Sequence, residues 1–386
     1  MKKKIIFLLI FILAFSSVSF GQSVGIEGEV SAYLLGDFEN GTILEEYNID
    51  KPLEVASITK LMTYLVVMDE MGKGDRSLDD LVYIDKDVSE VKGSSFNLKE
   101  GEIFPVSTLI ESLLIVSAND SAHALAKYVA GDVNTFVNMM NDKAKEIGLL
   151  NTVYLNSTGL PEGNRQNMMS TRDIFTLSRH ILKKYPEILQ ITKKPCMDIY
   201  DREFINENTN PLLGEINGVD GLKTGFTNKA GYCLVSTMDI AANDYNEKDF
   251  RVIGVVMGTK SEEKRRDISK EFLEYGISNY TNKCIFSQDV SLDTVEISNA
   301  KKERVEVYPE KDIYSIVKAG DSIGEELILD ENISLPVEKG ESIGKLVVYD
   351  NEDTIGEYNV VVKEKIKKAN IFLRIWRYIK QLLLNA

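Results

Sequence analysis

Cysteine is scarce in this chain of 386 residues: Cys196, Cys233 and Cys284 are the full set. An odd number at wide spacing excludes a disulfide framework and a zinc-ligand set, although a single bridge stays open. The thiols read as small apolar packing groups. Histidine is scarcer still. His123 and His180 each lie within a helical pattern and have no metal-ligating partner at useful spacing, so both read as structural. No Gly-x-Ser-x-Gly elbow is present, which excludes that type of Ser-His-Asp hydrolase. No glycine-rich loop of P-loop or dinucleotide type is present either. Basic charge is also short. The 45 Lys and Arg against 60 Asp and Glu leave a net charge of −15, which argues against nucleic acid as a partner. With only 8 prolines and 44% hydrophobic residues, the chain is a packed globular protein, long enough for two or three domains.

The charge is uneven. Lys2, Lys3 and Lys4 open the chain, and no polar residue interrupts Ile5 to Phe15. Small residues follow, with Ser19 and Gly21 placed for cleavage after Gly21. This pattern predicts a secretory signal peptide over residues 1–21 and an exported mature chain. The apolar run is too short for a span of about 20 residues. No cysteine lies near the cleavage position, so a lipoprotein anchor is not expected. The other end is basic as well: Lys363, Lys365, Lys367, Lys368, Arg374, Arg377 and Lys380 face a single Glu364. From Ile371 to Leu383, Ile371, Phe372, Ile375, Trp376, Ile379, Leu382 and Leu383 fall on one helical arc. Arg374, Arg377, Lys380 and Gln381 fall opposite. Charges inside the segment forbid a transmembrane span, and the pattern reads as an in-plane membrane anchor over 363–386. The competing reading is a helix packed on the protein's own core.

Between the ends, residues 23–50 alternate like strands. Helical spacing runs from Ser57 to Met71, from Pro105 to Val116, from Ser121 to Val129, from Phe136 to Ile147 and from Thr171 to Leu182. Strand-like runs follow near Gly231–Ser236 and Arg251–Met257, and helix returns at Ser261–Tyr275. Residues 281–362 alternate without a long helical pattern and read as a small all-β domain. The helix-rich part, 22–280, is expected to be an α+β or α/β domain, and no internal repeat is visible.

Three short motifs carry chemistry. Ser57 and Lys60 stand three apart at the start of a strongly apolar helix, which puts them on one face. A serine hydroxyl needs a base beside it. A lysine amine serves if burial or a nearby cation lowers its pKa. Val55, Ile58, Met62 and Val66 are placed to supply a dry wall. The same spacing recurs at Ser89/Lys92, Ser261/Lys264 and Ser298/Lys301, but there within charged stretches. Ser117 and Asn119 follow between two helical runs, a pattern shared with Ser95 and Asn97. This pair could relay a proton and hold a substrate amide. Lys223-Thr224-Gly225 occurs once and precedes the strand-like segment from Tyr232. Lysine and threonine at a strand start can bind a carboxylate, and the glycine lets a substrate lie against the strand edge.

In this order and spacing the three motifs resemble those of the serine penicillin-recognising family, penicillin-binding proteins and serine β-lactamases. Ala56–Thr63, Val116–Ala122, Asn156-Ser157-Thr158-Gly159-Leu160 and Ser170-Thr171-Arg172-Asp173 look most like the low-molecular-weight D-alanyl-D-alanine carboxypeptidases. The resemblance implies an α+β fold: a transpeptidase-like domain with an antiparallel sheet and helices, a small all-β domain and the C-terminal helix. It implies Ser57 as nucleophile, Lys60 as base, Ser117 as proton relay and Asn119 as the group orienting substrate and Lys60. It further implies Lys223, Thr224 and Gly225 as the carboxylate site, and the N–H groups of Ser57 and Phe226 as the oxyanion hole. Peptidoglycan stem pentapeptides are then the substrate, β-lactams acylate Ser57, and no metal or organic cofactor is required. Phe226 departs from relatives that carry histidine there. A β-lactamase reading lacks the Glu-x-x-Leu-Asn sequence between Asn119 and Lys223. An endopeptidase and a non-catalytic wall-binding protein stay open at this stage.

Overall fold

The computed structural model describes residues 24–384 apart from 319, 322, 351 and 352. The expected signal peptide lies outside the described residues.

Two adjacent strands near the N-terminus, β1 (Ala32–Asp37) and β2 (Ile43–Tyr47), join three from the middle of the chain. These are β3 (Val219–Thr227), β4 (Gly231–Ile240) and β5 (Phe250–Thr259). The order is β2-β1-β5-β4-β3, antiparallel throughout. Side chains alternate across the sheet with period two. Ala32 and Leu34, Cys233 and Val235, and Ile253, Val255 and Met257 enter one core. Tyr33 and Leu35, Leu234 and Met238, and Val252 and Val256 enter another. Both faces are covered, which is why β4 and β5 read as near-continuous apolar runs.

The larger core is helical. It is built by α1 (Lys60–Met71), α2 (Val106–Ile115), α3 (Asn119–Ala130), α4 (Val133–Glu146) and α5 (Thr171–Lys184). α1 is buried on every side from Lys60 to Met68, so it is the axis of this layer. On the opposite face, α6 (Glu262–Asn279) contributes Ile268, Phe272 and Leu273. Side-chain caps start α4 at Asp132, α5 at Ser170 and α6 at Ser261.

Between α6 and residue 370 the regular structure of the described residues is all β. A five-stranded antiparallel sheet, including Arg304–Pro309, Ser342–Asp350 and Asp353–Val361, encloses a third core around Val307, Leu346, Val348 and Val360. A two-stranded pair, Tyr280–Phe286 with Ile313–Lys318, joins it to the first domain. There Tyr280 donates its hydroxyl proton to the Leu44 carbonyl at 2.6 Å, and Lys318 Nζ lies 2.5 Å from Glu45 Oε1.

The chain ends in α7 (Ile371–Leu384). Ile371, Phe372, Ile375, Trp376 and Ile379 are exposed, Phe372 at 80% and Trp376 at 58%. Arg377 instead turns inward, pairing with Glu303 at 2.9 Å. Among the described residues no helix is long and apolar enough to cross a membrane. All three cysteines are free, and only Cys233 is fully buried, with its thiol pushed up to about 12 by desolvation. The expectation of apolar packing therefore holds for Cys233, while Cys196 and Cys284 are half-buried.

Candidate active site

Ser57 sits in a 3-10 turn, Ala56–Thr59, that feeds directly into α1. Ala56 holds a left-handed backbone at φ +46, sparsely populated for a residue with a Cβ. The turn rests on a loop at 156–159. Gly159, at φ +86, lies so close that an added Cβ would stand 1.9 Å from the Ala56 carbonyl oxygen. Asn156 Oδ1 accepts from the Gly159 N–H at 2.7 Å, and Asn167 Nδ2 donates to Thr59 Oγ1 at 2.9 Å.

Lys60 opens α1 and is completely buried. Its Nζ lies 2.8 Å from Ser57 Oγ, 2.7 Å from Asn119 Oδ1 and 2.8 Å from the Thr158 carbonyl oxygen. The last two groups can only accept hydrogen bonds. Asn119 is held in that orientation because its Nδ2 donates to the Lys92 carbonyl at 2.9 Å. A neutral amine therefore spends its two N–H bonds on Asn119 and Thr158 and turns its lone pair toward Ser57. Burial, then repulsion from Lys223, holds the Lys60 amine well below the ordinary lysine range.

Ser117 stands in the turn between α2 and α3 at φ +61, a second left-handed residue at a motif position. Asn119 is the first residue of α3, so this helix begins two residues earlier than the spacing predicts. The next residue, Asp120, is buried and binds the loop opposite. Its carboxylate accepts from Ser95 Oγ at 2.6 Å and from the N–H groups of Phe96 and Leu98, each at 3.0 Å. The second Ser-x-Asn sequence, Ser95–Asn97, is thus a brace for the first.

Lys223, Thr224, Gly225 and Phe226 lie within β3, the edge strand, and not at the start of the strand that follows. This corrects the sequence-based placement: the predictor of a strand was the apolar run after Gly231, whereas β3 holds Asp, Lys and Thr residues that hide its period. A Cβ on Gly225 would meet the Val55 carbonyl oxygen at 2.9 Å and the Ile58 amide nitrogen at 3.3 Å. Glycine here lets the free edge of β3 lie along the Ser57 turn. Thr224 Oγ1 donates to Thr209 Oγ1 at 2.8 Å, and Lys223 Nζ donates to the Thr224 carbonyl at 3.0 Å. Complete burial, with the Arg265 charge as a second cause, brings Lys223 down to about 7. Phe226 is half exposed and stacks on Tyr232 with centroids 4.1 Å apart.

The structure joins Ser57, Lys60 and Asn119 by direct contact and lays Gly225 against them. Ser117 and Lys223 flank this group without hydrogen-bonding to it. Two of the other Ser-x-x-Lys pairs do different work: Ser261 Oγ caps the Lys264 N–H, and Ser89 Oγ donates to the Lys86 carbonyl. Sequence reasoning assigned no role to Thr158, Gly159, Asp120 or Thr209. Asn156-Ser157-Thr158-Gly159 was the available signal, since a glycine after a polar triplet marks a turn.

Gly159→Ala is expected to cost at least about 3 kcal/mol of stability, because a forbidden φ and a backbone clash combine. Gly163 also has positive φ, at +60, but open space around it, so Gly163→Ala should cost about 1 kcal/mol. Urea unfolding of both variants checks the difference, and equal losses would sink the packing argument.

Residues 22–261 match the family model described as D-alanyl-D-alanine carboxypeptidase. Residues 280–368 match that of the C-terminal domain of penicillin-binding protein 5. The chain is 30% identical over 371 residues to the D-alanyl-D-alanine carboxypeptidase DacF of Bacillus subtilis, covering 93% of each. Among solved structures, penicillin-binding protein 5 of Haemophilus influenzae aligns with a TM-score of 0.70 at 29% identity, over 88% of this chain and 98% of that one. Penicillin-binding protein D2 of Listeria monocytogenes, solved in its ampicillin-bound form, aligns at 0.57 and 32% identity, over 64% of this chain and 97% of that one. The chain belongs to the D-alanyl-D-alanine carboxypeptidase family, the serine-type enzymes among the low-molecular-weight penicillin-binding proteins.

Proposed function

We propose that Ser57 is the nucleophile of this carboxypeptidase and Lys60 its base, acting on the terminal D-alanine of peptidoglycan stem pentapeptides. The observation that carries the assignment is the pair of pure acceptors around Lys60 Nζ. In the first step Ser57 Oγ bonds to the carbonyl carbon between the last two D-alanines, and its proton passes to Lys60 Nζ. The oxyanion is held by the N–H groups of Ser57 and Phe226. The carbon–nitrogen bond then breaks, and the departing amine receives a proton from Lys60 through Ser117. Water attacks the acyl-enzyme, gives a proton to Lys60, and Ser57 leaves protonated. Asn119 orients the substrate amide and Lys60. Lys223 and Thr224 bind the free carboxylate beside Gly225. A β-lactam, as bound by the Listeria relative, would acylate the same serine. No step calls for a metal or an organic cofactor.

The reading includes export through residues 1–21, domains at 22–280 and 281–362, and attachment to the outer face of the cytoplasmic membrane by 363–386. The exposed apolar side chains of α7 support attachment.

Release of D-alanine from a synthetic pentapeptide, followed against pH, tests the assignment. The rising limb of kcat/KM reports Lys60 losing its proton, since only the free amine is a base. The falling limb reports Lys223 losing the cation that binds carboxylate, near pH 7 in the free enzyme. Lys223→Arg keeps a cation at all these pH values, so it should abolish the falling limb. A falling limb unchanged in that variant rejects the role of Lys223, and no D-alanine release by the native chain rejects the whole assignment.

A further inference from the structure

In the C-terminal domain a cavity of about 390 Å³ opens between the segments that carry Lys301 and Lys302 and Lys363 to Lys367. Five lysines line it against two glutamates, Glu306 and Glu364. That is unusual in a chain with a net charge of −15. Lys363 is neutralised by Asp289 at 2.7 Å and Lys365 by Glu338 at 2.5 Å. Lys301, Lys302 and Lys367 are exposed and, among the described residues, have no carboxylate within ion-pairing distance. Their chains are held together, since the Lys301 N–H donates to the Lys367 carbonyl at 2.7 Å. Three lysines without a carboxylate partner thus line one cavity, and an anion seated there supplies the missing counter-charge.

The segments that line the cavity are tied to α7. The helix begins four residues after Lys367, and its Arg377 guanidinium donates to the carbonyls of Ala300 at 2.7 Å and Lys301 at 2.9 Å. One residue of the helix thus grips the loop that presents the unpaired lysines. Side chains that want hydrocarbon and side chains that want phosphate belong to one hydrogen-bonded unit. That pairing is found where a protein meets an anionic lipid surface.

We propose that this cavity binds the phosphate headgroup of an anionic phospholipid, a second membrane contact supplied by the β domain itself. The inference rests on the membrane reading of α7. Lysine contacts then fix the orientation of the domain on the bilayer, which the helix alone does not.

The test is binding of the full-length chain to vesicles at constant ionic strength, either neutral phosphatidylcholine or the same lipid with about one quarter phosphatidylglycerol. Replacing Lys301, Lys302 and Lys367 together by Gln should weaken binding to the anionic vesicles at least about tenfold and leave neutral-vesicle binding unchanged. The triple Arg variant should retain it. Unchanged binding of the Gln variant to anionic vesicles overturns the proposal. So does loss of affinity for a soluble glycerol-phosphate polymer with vesicle binding intact, which would assign the site to a wall polymer. Phe372→Glu with Trp376→Glu should abolish binding to both vesicle types. If neutral-vesicle binding survives that change, the anchor reading fails, and the lysine effect is still read from the phosphatidylglycerol dependence. An unchanged thermal midpoint shows that the exposed substitutions leave the fold intact.

Discussion

Ser57→Ala should abolish D-alanine release and labelling by a fluorescent penicillin together, with kcat lowered on the order of 10⁴- to 10⁶-fold. Both reactions need a bond from Oγ to a carbonyl carbon, and no neighbouring group can make it. The amine hydrogen-bonded to Oγ, Lys60 Nζ, is fully buried behind the serine and engaged with Asn119 and Thr158. The fold should survive. Ser57 contributes a half-buried hydroxyl at the end of a turn whose shape is set by Ala56, Gly159 and Thr59. The thermal midpoint is therefore expected within a few degrees of the native chain, consistent with a lost surface hydrogen bond of about 1 kcal/mol. Persisting penicillin labelling in a folded Ser57→Ala chain would overturn the assignment of the nucleophile.

The second large effect is expected for Lys60→Met. Methionine matches the length and bulk of the lysine stem, so the apolar packing of α1 is kept. What is lost is the base, which lowers the acylation rate by about 10²- to 10⁴-fold. The loss should fall on kcat/KM for the peptide and on the penicillin acylation rate alike, because both begin with deprotonation of Ser57. The rising limb of the pH profile should vanish with the group that titrates there. Stability is pulled two ways. Asn119 Oδ1 and the Thr158 carbonyl each lose a donor, at about 1–3 kcal/mol apiece, while the cost of burying an amine disappears. A rising limb that persists in Lys60→Met would show that some other group is the base. Full penicillin acylation by that variant would show that no lysine base is needed.

Two non-glycine residues with positive φ lie at the site, Ala56 and Ser117. Each is next to or within one of the three sequence motifs, and each is held by a neighbouring loop: 156–159 for the first, 94–98 for the second. The left-handed backbone orients the following residues toward one point. Strain of about 1–3 kcal/mol per residue persists only where surrounding hydrogen bonds over-determine it. The Asp120 carboxylate and the Asn156 amide supply those bonds.

Much of this was readable in the linear chain. The helices from Pro105, Phe136 and Thr171 announced themselves because one stripe of each is apolar at 3.6-residue spacing. α1 was harder, since it is buried on all sides and its period is correspondingly faint. β3 escaped for a related reason. A strand that sets Asp220, Gly221, Lys223, Thr224 and Gly225 among three apolar residues shows no clean alternation. The decoys were equally instructive. Ser261/Lys264 and Ser57/Lys60 have the same spacing, yet one serine caps a helix and the other faces an amine. Spacing places side chains on a face, but burial decides whether the lysine is a solvated cation or a base.

By itself the sequence determined which residue types were available: a serine with a lysine three later in an apolar context, a Ser-x-Asn, a single Lys-Thr-Gly and a basic amphipathic end. These are local properties, set by side-chain chemistry and by the period of the backbone. Only the tertiary structure decided that Lys60 is completely buried, that Asn119 Oδ1 and the Thr158 carbonyl oxygen meet its Nζ, and that the β3 edge lies along the Ser57 turn. It also decided that α7 turns Arg377 inward and leaves Phe372 and Trp376 uncovered. The reason is physical. An amine's basicity depends on the dielectric and the charges around it, and those come from segments 59, 98 and 163 residues away along the chain, distances across which no local pattern carries information.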